Sequence, residues 1–152
     1  CMEGAMELHP VLSWRTAISQ IRPFPAGISI SYGRIWTTPD DCRIAVVPIG
    51  YADGLQRNLS GQLTFLLHGK PVQQVGRICM DMCMLDITDV PEAEIGDTVT
   101  VIGCDGTQRR SCADMARQLG TIDYEITCNI SKRVPRIYLK DGQKIEKLQY
   151  IP

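Results

Sequence analysis

Three tyrosines lie next to glycine-containing turn signals: Tyr32 in Ser31-Tyr32-Gly33, Tyr51 in Gly50-Tyr51-Ala52-Asp53-Gly54, and Tyr124 in Gly120-Thr121-Ile122-Asp123-Tyr124-Glu125. A phenol can act as a general base, but its reference pKa is about 10, so roughly one in a thousand is ionised at neutral pH. Such a base needs nearby positive charge or a concerted proton relay. Read by pattern alone, Tyr32 is a half-buried strand aromatic at the end of Ile28-Ser29-Ile30-Ser31. By residue type alone, Arg57 and Arg77 are solvated surface arginines. Met80, between Cys79 and Asp81, is the residue type that fills irregular core space. Asp53-Gly54 and Asp81 suit turn anchoring.

The other chemistry-bearing residues suggest little. Seven cysteines, at 1, 42, 79, 83, 104, 112 and 128, form no Cys-x-x-Cys pair, and neither His9 nor His68 lies beside a cysteine cluster. No metal site is expected from such spacing. The cysteines read as reduced thiols, used mostly as small core residues, which fits a cytoplasmic protein. With 22% charged residues and a net charge of -1, the chain carries no electrostatic footprint for nucleic acid or an anionic membrane. No apolar run approaches the length of a membrane span.

The elements that must position these residues are mostly short strands. The 152 residues suit one domain, with 44% hydrophobic residues to form its core. Residues 1–8 are expected to be a linker or chain end, and Cys1 in place of a start methionine suggests a chain that begins partway through a longer protein. Strands are expected near Gly27–Tyr32, Arg43–Ile49, Leu63–His68, Gln74–Met80, Met82–Ile87 and Thr98–Ile102. Arg43–Ile49 is apolar enough to be buried on both faces. Leu12-Ser13-Trp14 could form a first strand, with Pro10, Pro23 and Pro25 breaking regularity around it. Asp141-Gly142 predicts a hairpin turn between Arg136–Lys140 and Gln143–Tyr150. Ser111 as N-cap, Asp114 three residues on and Gly120 as C-cap predict one helix. Ile122, Ile126 and Ile130 predict a second, over Thr121–Lys132, which Pro135 forbids from continuing. The expected fold is mainly β: a decorated, closed antiparallel, Greek-key-like barrel with two short helices.

Taken together, five segments are more specific than any of them alone. Ser31-Tyr32-Gly33, Pro48-Ile49-Gly50-Tyr51-Ala52-Asp53-Gly54, Gly76-Arg77-Ile78-Cys79-Met80-Asp81, Gly120–Glu125 and Arg133-Val134-Pro135-Arg136 occur in this order. Pro10-Val11-Leu12-Ser13 and Pro25-Ala26-Gly27 fit the same pattern. From about residue 8 to the end, the chain resembles the C-terminal domain of bacterial alanine racemases.

That resemblance implies a pyridoxal-phosphate enzyme that interconverts L- and D-alanine for peptidoglycan synthesis. The cofactor delocalises the charge left at Cα, and the protein supplies one base on each face. One base is the cofactor-binding lysine of an N-terminal (β/α)8 barrel. The other is a tyrosine given by the C-terminal domain of the partner subunit in a homodimer, by motif Tyr32. The resemblance also makes Tyr51, Met80 and Tyr124 substrate-binding, Met80 through its backbone and Tyr124 also toward the cofactor phosphate. Arg57, Arg77 and Ile122 would line the entrance.

The family's lysine motif, with Ala, Val and Asn, is missing from this sequence, and no glycine-rich phosphate cradle precedes a helix. The isolated chain is therefore expected to be inactive and to hold no pyridoxal phosphate. Three alternatives fit parts of the same sequence. A serine/alanine racemase of the glycopeptide-resistance type would carry a smaller polar residue at 124. A fold-related decarboxylase would carry an acid and then Ser after the loop cysteine. A non-catalytic β-barrel interaction module would give the three tyrosines no reason to converge.

Overall fold

A computed structural model of the chain describes residues 9–150. The expected linker at 1–8 lies outside the described residues. The strands are β1 Trp14–Ala17, β2 Gln20–Phe24, β3 Ser29–Ile30, β4 Trp36–Thr37, β5 Cys42–Val47, β6 Thr64–Leu67, β7 Lys70–Val75, β8 Cys83–Asp86, β9 Thr98–Asp105 and β10 Gln108–Arg110, followed by β11 Arg136–Lys140 and β12 Gln143–Leu148. Two helices, α1 Cys112–Leu119 and α2 Asp123–Asn129, separate β10 from β11.

All strand pairs are antiparallel. The main sheet runs β1-β9-β6-β7-β8-β5-β2, with β10 on β9; β3–β4 and β11–β12 are separate two-stranded ribbons. Its two end strands are consecutive on the chain. Between them, Ile18 N donates to Asp97 O at 3.0 Å and Ser19 N to Val46 O at 2.9 Å. One bent stretch thus leaves β9 and joins β5. Because β1 and β2 follow each other in line, they form no ladder with each other. The fold is mainly β with two short helices, but its hydrogen-bond ladder is not the closed, Greek-key-like barrel expected.

The sheet and helices share one core. Phe65, Leu85, Ile87, Val101 and Ile49 meet Met115 and Ala116 of α1 and Ile126 of α2 within it. Full burial of each large side chain contributes roughly 1.5–3 kcal/mol. As its apolar run suggests, β5 is buried on both faces: Ala45 and Val47 join the main core, while Cys42 and Ile44 join a second cluster with Val75.

Helix α1 starts and stops where its caps predict. Ser111 Oγ accepts from Asp114 N at 3.2 Å, Asp114 Oδ2 accepts from Ser111 N at 2.7 Å, and Gly120 is left-handed at φ 71°. Helix α2 is shorter than the expected Thr121–Lys132. It ends at Asn129 because the chain turns there to give Ser131 N to Asp53 O at 2.9 Å. Strand β7 ends at Val75 and does not reach Met80, since Gly76 takes φ +68° and bends the chain into a loop. Strand β2 crosses Pro23, which is tolerated because it lies at an end of the ladder.

Candidate functional site

Tyr32 does not sit in a strand. The ribbon strand β3 ends at Ile30, and Tyr32–Arg34 form a 3-10 turn. Backbone φ is +68° at Ser31, +73° at Gly33 and +50° at Arg34. The strand exit falls at Ser31, and Gly33 lies inside the turn that follows. Ser31, at ψ -179°, occupies a region that is essentially glycine-only. The turn leaves the Tyr32 side chain 73% exposed, so it is not a half-buried strand aromatic.

The loop from Gly76 to Met80 holds this turn. Ser31 Oγ donates to Arg77 O at 2.8 Å and lies 3.7 Å from Cys79 Sγ. A Cβ at Gly76 would lie 2.7 Å from Ser31 Cβ, so only glycine allows the approach. On the other side of Tyr32, a Cβ at Gly33 would be 3.8 Å from Arg77 Nε.

The same loop also receives the Tyr51 turn. Tyr51 N donates to Cys79 O and Ala52 N to Met80 O, both at 3.0 Å. Gly50 is indispensable to this docking, because a Cβ there would meet both carbonyl oxygens at 2.3 Å. Met80 fills no core space: its side chain is exposed. Its carbonyl is thus engaged with Ala52, while among the described residues its N–H has no hydrogen-bond partner.

A charged cluster closes these turns from behind. Asp53 Oδ2 accepts from Gly50 N at 2.8 Å, and its two oxygens take Arg133 Nε at 2.6 Å and Nη2 at 3.0 Å. Arg133 Nη1 reaches Asp81 Oδ1 at 2.7 Å. The hydrogen bonds that Arg133 donates to Asp53 and then to Asp81 hold its guanidinium above its ordinary range. Asp81 therefore anchors its loop across space, to Arg133. Behind the loop, burial pushes the Cys83 thiol up, with Cys79 and Asp53 adding to the effect, so Cys83 is a poor nucleophile.

Arg57 and Tyr51 line an open cleft of ≈ 400 Å³ with Gly54, Gln56, Asn58, Glu125 and Asn129. Arg57 is exposed and Arg77 half-buried. Ile122 caps the start of α2, and Tyr124 follows in its first turn; both are exposed. At its far end α2 is pinned to the Tyr51 turn, with a Cβ at Gly54 2.3 Å from Asn129 O.

The backbone contacts thus join the segments of Tyr32, Arg77, Met80 and Tyr51 directly, and side chains of Tyr51 and Arg57 share a cleft. Ile122 and Tyr124 are joined to this group through α2, whose Glu125 and Asn129 line the same cleft. Sequence reasoning assigned no role to Ser31 or Arg133, although both lie within the quoted motifs. Their signal would have been a polar residue beside a glycine turn and an unpaired Asp53 needing a cation. The cysteine reading needs correction: Cys42 and Cys83 are buried, Cys79 and Cys112 intermediate, and Cys104 and Cys128 exposed. Backbone direction at each site decides this, which composition cannot show. No group of three or more metal-ligating side chains occurs among the described residues, and none of their helices is long and apolar enough to cross a membrane.

Residues 11–138 match the family model described as alanine racemase, C-terminal domain. The chain belongs to the alanine racemase family. It is similar to alanine racemase 1 of Clostridium acetobutylicum, 40% identical over 149 residues, covering 98% of this chain and 39% of that protein. Alanine racemase 1 of Caldanaerobacter subterraneus subsp. tengcongensis is 44% identical over 150 residues, covering 99% and 39%. A crystal structure of alanine racemase from Bacillus anthracis with bound L-Ala-P superposes with a TM-score of 0.90 at 40% identity, covering 95% of this chain and 37% of that one. This alanine racemase C-terminal domain therefore spans about 39% of the length of those curated relatives.

Proposed function

We propose that this domain is the tyrosine-donating half of a pyridoxal-phosphate-dependent alanine racemase, active as a homodimer in which an N-terminal (β/α)8 barrel carries the cofactor lysine. The observation that carries this reading is the Tyr32 turn, exposed in side chain yet fixed in backbone by Ser31, Gly76 and Arg77. A phenol held outward on a fixed backbone suits donation to a site completed by another surface. In the same reading, the bent stretch from β1 to β2 completes a barrel-like wall behind these turns.

The donor set of the chain fits one side of pyridoxal phosphate. The phenols of Tyr32 and Tyr124 are exposed hydrogen-bond groups, and Tyr124 would reach the phosphate. Of the described lysines, Lys70 pairs with Glu92 at 3.2 Å and Lys132 lies over the Tyr150 ring at 5.8 Å. When bound, the cofactor supplies delocalisation of the charge left at the substrate Cα. Tyr32 Oη takes or returns the Cα proton on one face. The Met80 N–H receives the substrate carboxylate, its carbonyl being fixed by Ala52. Tyr51 stands at the mouth, and Arg57, Arg77 and Ile122 line the approach, where the arginines draw in the carboxylate of a small amino acid. Tyr124 crowds the substrate side chain and favours alanine over serine, a preference that packing alone makes modest.

A mixed dimer tests the donation across subunits. One full-length subunit carries Tyr32→Phe, and the other carries a replaced cofactor lysine. Each homodimer is expected to be inactive, while the mixture recovers alanine racemisation in the one site that combines an intact lysine with the partner's intact tyrosine. A mixture as inactive as its parents, with heterodimers present, contradicts the assignment.

A further inference from the structure

Ser31 pairs an unfavourable backbone with a specific hydrogen bond. Its φ of +68° and ψ of -179° favour glycine, yet the position carries a serine. Glycine would suit the backbone better, so what the serine adds is its hydroxyl. That hydroxyl donates to Arg77 O at 2.8 Å. The accepting carbonyl belongs to the loop that runs from Gly76, which a Cβ would drive to 2.7 Å from Ser31 Cβ, to Met80. Tyr32 is the next residue. The backbone from which its phenol projects is therefore a strained peptide locked onto the Met80 loop.

We propose that Ser31 is a positioning residue for racemisation: its Oγ bond to the Arg77 carbonyl fixes the Tyr32 phenol relative to the Met80 N–H, so that base and carboxylate site form one rigid unit. This rests on the reading of Tyr32 as the one-face base. The bond has no role in the main core, since Ser31 lies at the end of the β3–β4 ribbon and outside both apolar clusters. Strain held at a position whose loss would leave the core intact points to function at the neighbouring residue.

Full-length enzyme with Ser31→Ala, Ser31→Gly and Tyr32→Phe provides the test. The readouts are Cα hydrogen exchange with deuterated water for each alanine enantiomer, and the NMR signal of ring-labelled Tyr32 without substrate, assigned by its loss in Tyr32→Phe. Both Ser31 variants are expected to lower exchange on the Tyr32 face by about 10- to 100-fold, the scale of a misplaced catalytic group. Exchange on the opposite face is expected to stay unchanged, and the Tyr32 ring signal to shift or broaden. Ser31→Gly relieves the backbone, so it decides the matter if Ser31→Ala fails to fold. Normal exchange in the Ser31 variants beside one-face loss in Tyr32→Phe overturns the role of Ser31 and leaves that of Tyr32 standing. Equal loss on both faces makes Ser31 merely structural. Two-face exchange in Tyr32→Phe overturns the reading of Tyr32 and this proposal with it.

Discussion

Asp53 binds Arg133 through both carboxylate oxygens, at 2.6 and 3.0 Å, across a separation of 80 residues. The pair ties the Tyr51 turn to the chain beyond α2, and Arg133 carries the link on to Asp81 beside Met80. Replacing Asp53 by Ala also strips the Gly50 N–H of its acceptor. The expected loss of stability is about 1–3 kcal/mol from that buried N–H alone. Denaturant unfolding measures it, and an unchanged midpoint contradicts the anchoring role.

Gly50→Ala isolates the fit between the Tyr51 turn and the Met80 loop. The backbone of Gly50 is extended, at φ -147°, so the penalty is purely steric: its Cβ would lie 2.3 Å from the carbonyl oxygens of Cys79 and Met80. In the full-length enzyme kcat/KM for alanine is expected to fall by about 10- to 100-fold as these backbones separate. Retained kcat/KM would mean that the two loops work independently.

Acid should loosen α1. Hydrogen bonds from the Ser111 backbone and side chain, and then the Arg117 charge, hold the Asp114 carboxyl below its ordinary 3.8. A carboxyl lowered on folding stabilises above its unfolded pKa and loses that contribution as pH falls through the folded one. Stability is thus expected to decline below about pH 4 more steeply in the parent than in Asp114→Asn. Thermal unfolding across that range reads the slope. Ser111→Ala, which removes the cap, should cost about 1 kcal/mol at neutral pH.

The β11–β12 hairpin places Ile137, Tyr138, Leu139 and Ile145 on the surface. Clustered exposed apolar side chains favour association. The isolated domain is expected to self-associate, and Ile137→Ser with Ile145→Ser to restore a monomer by sedimentation. It is also expected to lose pyridoxal phosphate on dialysis; bound-cofactor absorbance that survives would contradict the placement of the lysine elsewhere.

Much of this was readable from residue order. The caps of α1, the Asp141-Gly142 turn and the two-sided burial of β5 follow from local rules acting on a few neighbouring residues. Strand β2 was hidden by Pro23, because its tolerance depends on the strand lying at the end of the ladder, a tertiary fact. The continuation of Gln74 toward Met80 failed for a similar reason: Gly76 bends where Ser31 must approach it. At the site, the motifs marked Tyr32, Tyr51, Met80 and Tyr124, but Ser31 and Arg133 gained meaning only from partners 46 and 80 positions away.

Tyr32→Phe in the full-length enzyme bears most directly on the proton-transfer role. The substitution keeps the ring and removes only an exposed hydroxyl, so folding and cofactor binding should be retained. One alanine enantiomer should still exchange its Cα hydrogen with solvent, through the lysine face. Racemisation should fall by about 10²–10⁴-fold or more, the usual worth of a positioned acid–base group. Racemisation at the parental rate by a normally folded Tyr32→Phe enzyme would contradict the role given to Tyr32.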